Sequence, residues 1–309
     1  MARAHVAVRP EPTRLATLAL LGVTAAWGST FFLTKDLLEQ VPATDYLAVR
    51  FTIAAVVMVI VFRGPLRRLN RRQWRDGLAL GCIYAAAQIV QTVGLGYTSA
   101  SLSGFITGVY VVLTPLIGAL VLRDRVGPPI WAAVLLSVLG LGVLSIHPGA
   151  GGGLAFGYGE WLTLGSSVLY AVHILGLGRY STPSTAAGLS VVQMIALSLV
   201  CTVVAVPDGL RLPQTPGAWG SVVYMAVVAG AAAMWAQTWA QAHLSAARAA
   251  ILMTMEPVFA AGFAMLFGGE SLTPRIALGG ALIVAAMYVA EQGSVQETGQ
   301  PPPVHPSAP

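Results

Sequence analysis

Hydrophobic residues run in blocks along this chain, and polar residues collect in the short gaps between them. The blocks are about twenty residues long, enough for a helix to cross a hydrocarbon core of roughly 30 Å. They do not alternate: Ala54-Ala55-Val56-Val57-Met58-Val59-Ile60-Val61-Phe62 is apolar on every face. A transmembrane β-strand needs alternation over about ten residues. Helices satisfy every backbone polar group internally and are the alternative that remains. The pattern predicts an all-α polytopic membrane protein with ten transmembrane helices, at 15–35, 45–63, 75–95, 101–122, 129–146, 158–178, 187–206, 217–240, 247–268 and 274–291.

The second half repeats the first at a constant offset of 146 residues, without a gap. Gln91-Thr92 recurs as Gln237-Thr238, and Ser99-Ala100 as Ser245-Ala246. Asp124, Pro128 and Ile130 match Glu270, Pro274 and Ile276. Each copy, 15–146 and 158–291, holds five predicted spans. An odd-span repeat inserts its two copies in opposite orientations, and such inverted five-helix repeats are typical of secondary transporters. The Gly-rich stretch His147–Gly153 between them predicts a flexible linker, not a phosphate cradle. Residues 292–309 are polar and proline-rich, which predicts a disordered cytoplasmic tail.

Composition agrees with the pattern. The chain is 56% hydrophobic and 9% charged, whereas about a quarter of residues are charged in soluble domains. The net charge of +5 comes from loop arginines. With ten spans, one side collects Arg3, Arg9, Arg14, Arg63, Arg67, Arg68, Arg71, Arg72, Arg75, Arg123, Arg125, Arg179 and Arg248, thirteen of the 17 Lys and Arg. Lys35, Arg211 and Arg275 fall on the other side, and Arg50 is embedded. The positive-inside rule then places both termini in the cytoplasm. Topology accounts for the basic excess, so no nucleic-acid partner is implied. The Arg63–Arg75 cluster also suits anionic headgroups. The first apolar stretch is too long for a signal core and reads as a permanent span. Cys82 and Cys201 lie inside spans, where packing is expected rather than a disulfide or a metal site.

Polar residues within the spans are the candidates for chemistry, because each must face a cavity, a partner helix or a counter-ion. Glu256 is deeply placed beside Pro257; it is a candidate proton carrier or partner for a solute amine, or it binds a carbonyl freed by the proline. Arg50 is a candidate for a solute carboxylate; snorkelling to headgroups or pairing with Asp45 is the structural alternative. Lys35 ends the first span, as an outer gate with Asp36 or as a simple helix-end charge. Tyr84, Gln88 and Gln91 share one face of the third span, and their counterparts are Gly230, Met234 and Gln237. Trp27 and His173 are 146 residues apart, and with Tyr84, Tyr110, Tyr170 and Trp235 they outline an aromatic chamber. Gly28, Ser29, Gly104 and Gly108 suit close helix approach. Lys35, the single lysine, is not preceded by glycine, so there is no Walker A loop, and no HExxH motif or magnesium-binding acidic cluster is present. No enzyme activity and no cofactor are expected.

Particular motifs carry a family resemblance over about residues 15–291. Trp27-Gly28-Ser29-Thr30-Phe31-Phe32-Leu33-Thr34-Lys35 and Arg50-Phe51 resemble the first two helices of EamA-type members of the drug/metabolite transporter superfamily. Tyr97-Thr98-Ser99-Ala100-Ser101-Leu102 through Pro115 to Arg123-Asp124-Arg125 resembles the element that follows, and His243-Leu244-Ser245-Ala246 through Glu256-Pro257 to Gly269-Glu270 is similar to its second copy. Asp124 stands where the family usually has Glu, Pro115 falls late in its helix, and Arg179 ends a span where its counterpart span ends in Lys35. The resemblance implies a carrier of small organic metabolites in the bacterial inner membrane, often an exporter. The expected solutes are amino acids or drug-like molecules, moved by alternating access, either proton-coupled through Glu256 or facilitated. Its partners are then a small solute and the lipid bilayer, and monomer and homodimer are both compatible. The rival readings are a lipid-modifying membrane enzyme and an assembly partner that transports nothing.

Overall fold

A computed structural model describes residues 12–122, 127–144, 156–244, 249 and 252–298. Asp124, the linker 147–153, Ser245–Arg248 and the tail beyond Thr298 lie outside the described residues.

Every element among the described residues is helical. The long helices are α1 (Pro12–Leu38), α2 (Ala43–Val61), α4 (Arg71–Gly96), α7 (Pro128–Leu144), α8 (Tyr158–Tyr180), α9 (Ala186–Ala205) and α13 (Pro274–Thr298). A one-turn helix, α3 (Arg63–Arg67), joins α2 to α4. The span predicted at 101–122 is two helices, α5 (Ala100–Gly108) and α6 (Tyr110–Leu122), stepped at Val109. The span predicted at 217–240 is α10 (Pro216–Ala226), a π segment (Val227–Ala232) and α11 (Ala233–Gln241). The last elements are α12 (Met255–Leu266) and α13, which continues past the predicted end at 291. Seven segments among the described residues are long and apolar enough to cross a membrane, and Pro128–Leu144, Met255–Leu266 and Pro274–Val289 are shorter apolar helices. The chain is a multi-pass membrane protein.

Local chemistry sets the helix starts. Asn70 and Gln73 form a reciprocal capping box at α4, each side chain bonded to the other's backbone N–H at 2.9 Å. Ser99 Oγ accepts from Leu102 N at α5. Thr215 does the same for Ala218 at α10, with Pro216 in the first turn. A second cap comes from far along the chain. Glu270 accepts from the backbone N–H of Ala100 (2.7 Å) and of Ser101 (3.2 Å), so its carboxylate sits on the positive end of α5.

The helices pack as a bundle in which two pairs of elements offset by 146 residues meet: α2 lies against α9, and α7 against α13. α5 packs on α12, the counterpart of α6. Between α2 and α9, the Thr52 and Ser198 hydroxyls hydrogen-bond at 2.9 Å. Along the α5–α6/α12 contact, Gly104 meets Ala260, Gly108 meets Pro257, and Tyr110 meets Glu256. One number rises as the other falls, so α5–α6 and α12 run antiparallel, and Tyr110 and Glu256 are a counterpart pair. Glycine is needed at Gly104, where an added Cβ would lie 2.7 Å from Ala260 Cβ. Gly28 is equally close to the α12 backbone at Phe259 and Ala260. Around this core, α4 packs on α8 and α9, while α1 packs on α12 and α11. Outward faces are apolar: Trp131, Leu135, Val138 and Leu139 of α7 are all exposed. Cys201 is buried, but Cys82 is exposed on α4 and is not a packing residue.

Candidate functional site

A cavity lies at the centre of the bundle, walled by α1, α2, α4, α5, α6, α8, α11 and α12. Its lining includes all ten polar and aromatic candidates from the sequence: Trp27, Arg50, Tyr84, Gln88, Gln91, Tyr110, Tyr170, His173, Gln237 and Glu256. It also includes Thr30, Phe31, Thr34, Thr92, Leu95, Thr107, Ile174 and Met253. Trp235 does not line it. That indole stacks on Phe62, 5.7 Å between ring centres, and on Trp239.

The charged groups are buried and unpaired by opposite charge. Arg50 is 5% exposed. Its Nε donates to the Met225 carbonyl (3.2 Å) and its Nη1 to the Tyr46 hydroxyl (2.9 Å), with the guanidinium 4.9 Å from the Phe51 ring centre. The ion pairs among the described residues join Arg72 and Arg75 to Asp76, and none involves Arg50. Asp45 does not serve it: Asp45 Oδ2 accepts from the Arg211 backbone N–H at 2.9 Å. Glu256 is 6% exposed and accepts one hydrogen bond, from Tyr110 Oη to Oε2 at 2.7 Å. A buried charge without a counter-charge is costly, and the cavity wall holds one basic and one acidic group of this kind.

Aromatic rings and amides make up most of the remaining wall. Tyr84 stacks on His173 (4.8 Å) and leans on Tyr170 (5.8 Å), which meets Tyr110 edge-on (6.2 Å). His173 Nε2 bonds Gln193 Oε1 at 2.8 Å, which fixes the ring. Trp27 Nε1 donates to the Ala229 carbonyl in the π segment at 2.9 Å. Gln88 Nε2 donates to Tyr84 Oη (3.2 Å). Gln91 is used at both ends: Nε2 donates to Thr107 Oγ1 (2.9 Å) and Oε1 accepts from Tyr170 Oη (2.7 Å). Gln237 is 2% exposed, and its Oε1 is buried without a partner. Leaving such a group unpaired costs about 1–3 kcal/mol.

Lys35 lies outside the cavity. Its Nζ donates to the carbonyls of Leu95 (3.0 Å), Gly96 (3.2 Å) and Thr98 (2.7 Å), so the ammonium caps the C-terminus of α4. Asp36 is not part of that contact. Thr98 Oγ1 in turn donates to the buried Glu160 (2.9 Å), which ties the same corner to α8. The cavity reaches toward this corner. Its wall includes Phe31, Thr34, Thr92 and Leu95 but not their 146-offset counterparts Leu177, Tyr180, Thr238 and Gln241.

A central cavity with ionisable groups, inside a bundle of membrane-crossing helices, is the arrangement of a membrane transporter. Residues 14–146 and 157–291 each match the EamA-like transporter family, and the chain belongs to that family within the drug/metabolite transporter superfamily. An uncharacterized transporter of Archaeoglobus fulgidus is 30% identical over 274 residues, covering 89% of this chain and 85% of that protein. The threonine/homoserine exporter RhtA of Escherichia coli K12 is 28% identical over 289 residues, covering 91% and 92%. A solved crystal structure superposes with a TM-score of 0.63 at 21% identity, covering 89% of this chain and 95% of the other, which shows a shared fold.

Proposed function

We propose that this chain is a secondary transporter that exports small zwitterionic metabolites, amino acids foremost, across the bacterial inner membrane by alternating access. The observation that carries this reading is the presence of Arg50 and Glu256 in one cavity, neither with an ion-pair partner among the described residues. A carboxylate meets the guanidinium, and an ammonium meets the carboxylate. RhtA, the Escherichia coli relative, is named for two such zwitterions. Tyr84, Tyr110 and Tyr170 supply rings against which different side chains pack.

The scaffold for this cycle is a pair of inverted five-helix repeats, 15–146 and 158–291, making ten spans with both termini in the cytoplasm. Antiparallel contact between α5–α6 and α12 supports the inversion. The seven long apolar segments and three shorter apolar helices support the count. A cavity wall that includes Thr34 and Leu95, but not Tyr180 and Gln241, supports access from one face in this state. Exchange of the two copies' conformations opens the other. Glu256 couples the cycle to protons by taking one when the solute amine leaves.

Cells overproducing the chain are expected to release amino acids into the medium, and an unchanged amino-acid profile overturns the reading. In proteoliposomes, Glu256→Gln is expected to abolish the response of transport to an imposed pH gradient while solute exchange persists. Gradient-driven transport equal to wild type removes Glu256 from coupling.

A further inference from the structure

The duplicated chain contains its own control for one cavity residue. Gln91 and Gln237 are equivalent, 146 positions apart, and both line the cavity. Gln91 is satisfied at both ends by Thr107 and Tyr170. The residues equivalent to those partners, around Gln237, are Met253 and Thr24. Met253 offers a thioether where Thr107 offers a hydroxyl. Thr24 is committed elsewhere, since its Oγ1 donates to the Leu21 carbonyl at 2.8 Å. Both partners that complete the first amide have been lost for the second. The Gln237 Oε1 has no hydrogen-bond partner among the described residues, although the residue is almost wholly buried.

An amide carries two donors and one acceptor oxygen. An ammonium only donates and a carboxylate only accepts, so neither end of a zwitterion uses both faces of an amide. A hydroxyl or a carboxamide does. We propose that Gln237 reads a neutral group that both donates and accepts on the solute's side chain, and so sets a preference for hydroxyl- or amide-bearing solutes over aliphatic ones. This inference rests on the proposed export of zwitterions, with Arg50 and Glu256 holding the charged ends. Met253 is the permissive partner, because its thioether leaves the amide free for the solute.

Threonine and valine test it, since they differ by a hydroxyl in place of a methyl at nearly constant shape. The full-length protein is reconstituted in proteoliposomes, and counterflow of each labelled amino acid is measured. Wild type is expected to favour threonine by about tenfold or more, because a site built to bond a hydroxyl discriminates strongly against the analogue lacking it. Gln237→Leu is expected to bring the ratio near one, chiefly by loss of threonine transport. Met253→Thr restores the hydroxyl that Gln91 has, so it engages Gln237 internally and lowers the ratio several-fold with the amide still present. An unchanged ratio in both variants overturns the inference. So does failure of both variants to accumulate in the membrane, which marks the site as packing. Wild-type transport of both amino acids without preference overturns it and leaves the proposed function standing. Transport of neither removes both.

Discussion

Tyr110 and Glu256 occupy equivalent positions in the two halves of the chain, and their side chains hydrogen-bond to each other at 2.7 Å. Thr52 and Ser198 are a second such pair, at 2.9 Å. In the proposed inverted repeat, a residue that touches its own counterpart lies beside the axis relating the copies. If transport exchanges the conformations of two inverted copies, any distance between counterparts is the same before and after the exchange. Distances between non-equivalent residues are not protected in this way.

A disulfide between Thr52→Cys and Ser198→Cys, whose hydroxyls already meet at 2.9 Å, is therefore expected to leave transport within about twofold of the reduced protein. The comparison is solute counterflow before and after oxidation, in a background lacking Cys82 and Cys201. Loss of transport on oxidation, restored by reductant, rules out an axis at this contact.

Arg50 holds a carbonyl, a phenol and the face of Phe51 with one planar group. Lysine keeps the charge but not the fork. Arg50→Lys is expected to lower kcat/KM for a zwitterionic solute by about tenfold or more with protein yield maintained, as the loss of one charged hydrogen bond implies. A rise in KM alone places the arginine in solute binding, and a variant equal to wild type excludes it.

Glu270 caps α5 through two backbone N–H groups from the other half of the chain. Glu270→Ala removes both acceptors and is expected to destabilise the protein by about 1–2 kcal/mol, the usual worth of an N-cap. A thermal-unfolding midpoint in detergent measures it, and Glu270→Gln, which keeps one acceptor, falls between the variant and wild type.

Gly104→Val inserts a branched side chain where a single Cβ already meets Ala260 at 2.7 Å. Overpacking of this kind costs about 1–3 kcal/mol, and a lower unfolding midpoint is expected. Gly22→Ala is the control, because nothing lies within 4 Å of its Cβ site. There the helix gains up to about 1 kcal/mol, and the midpoint holds or rises.

Much of the cavity was legible in the sequence because glutamine, arginine and glutamate inside apolar runs have few places to go. Thr30, Thr34, Thr92 and Thr107 were not, since hydroxyls bond their own helix backbone cheaply and stand out from no apolar background. Lys35 resolved to a helix cap because three carbonyls at the end of α4 converge on it, which no spacing rule reveals. The pairing of Arg50 with Asp45 failed because the loop backbone at Arg211 claims that carboxylate. Hydrophobic periodicity also could not find the step at Val109, beside which Gly108 packs on Pro257. Nor could it separate Trp235, facing Phe62, from the aromatic rings that face the cavity.

The π segment Val227–Ala232 has one further consequence. The corresponding stretch of the first half, 81–86, is ordinary α-helix within α4. A π turn accommodates about one residue more than an α turn, so six such residues lag the α-helical phase by roughly 100°. The two halves thus keep identical residue spacing while their helices fall out of angular step. Gln237 matches Gln91 at the 146-residue offset and both line the cavity, yet the turns of helix that lead to them differ. Duplication preserved the text of the helix, and a single surplus residue per turn gave the copy a different meaning.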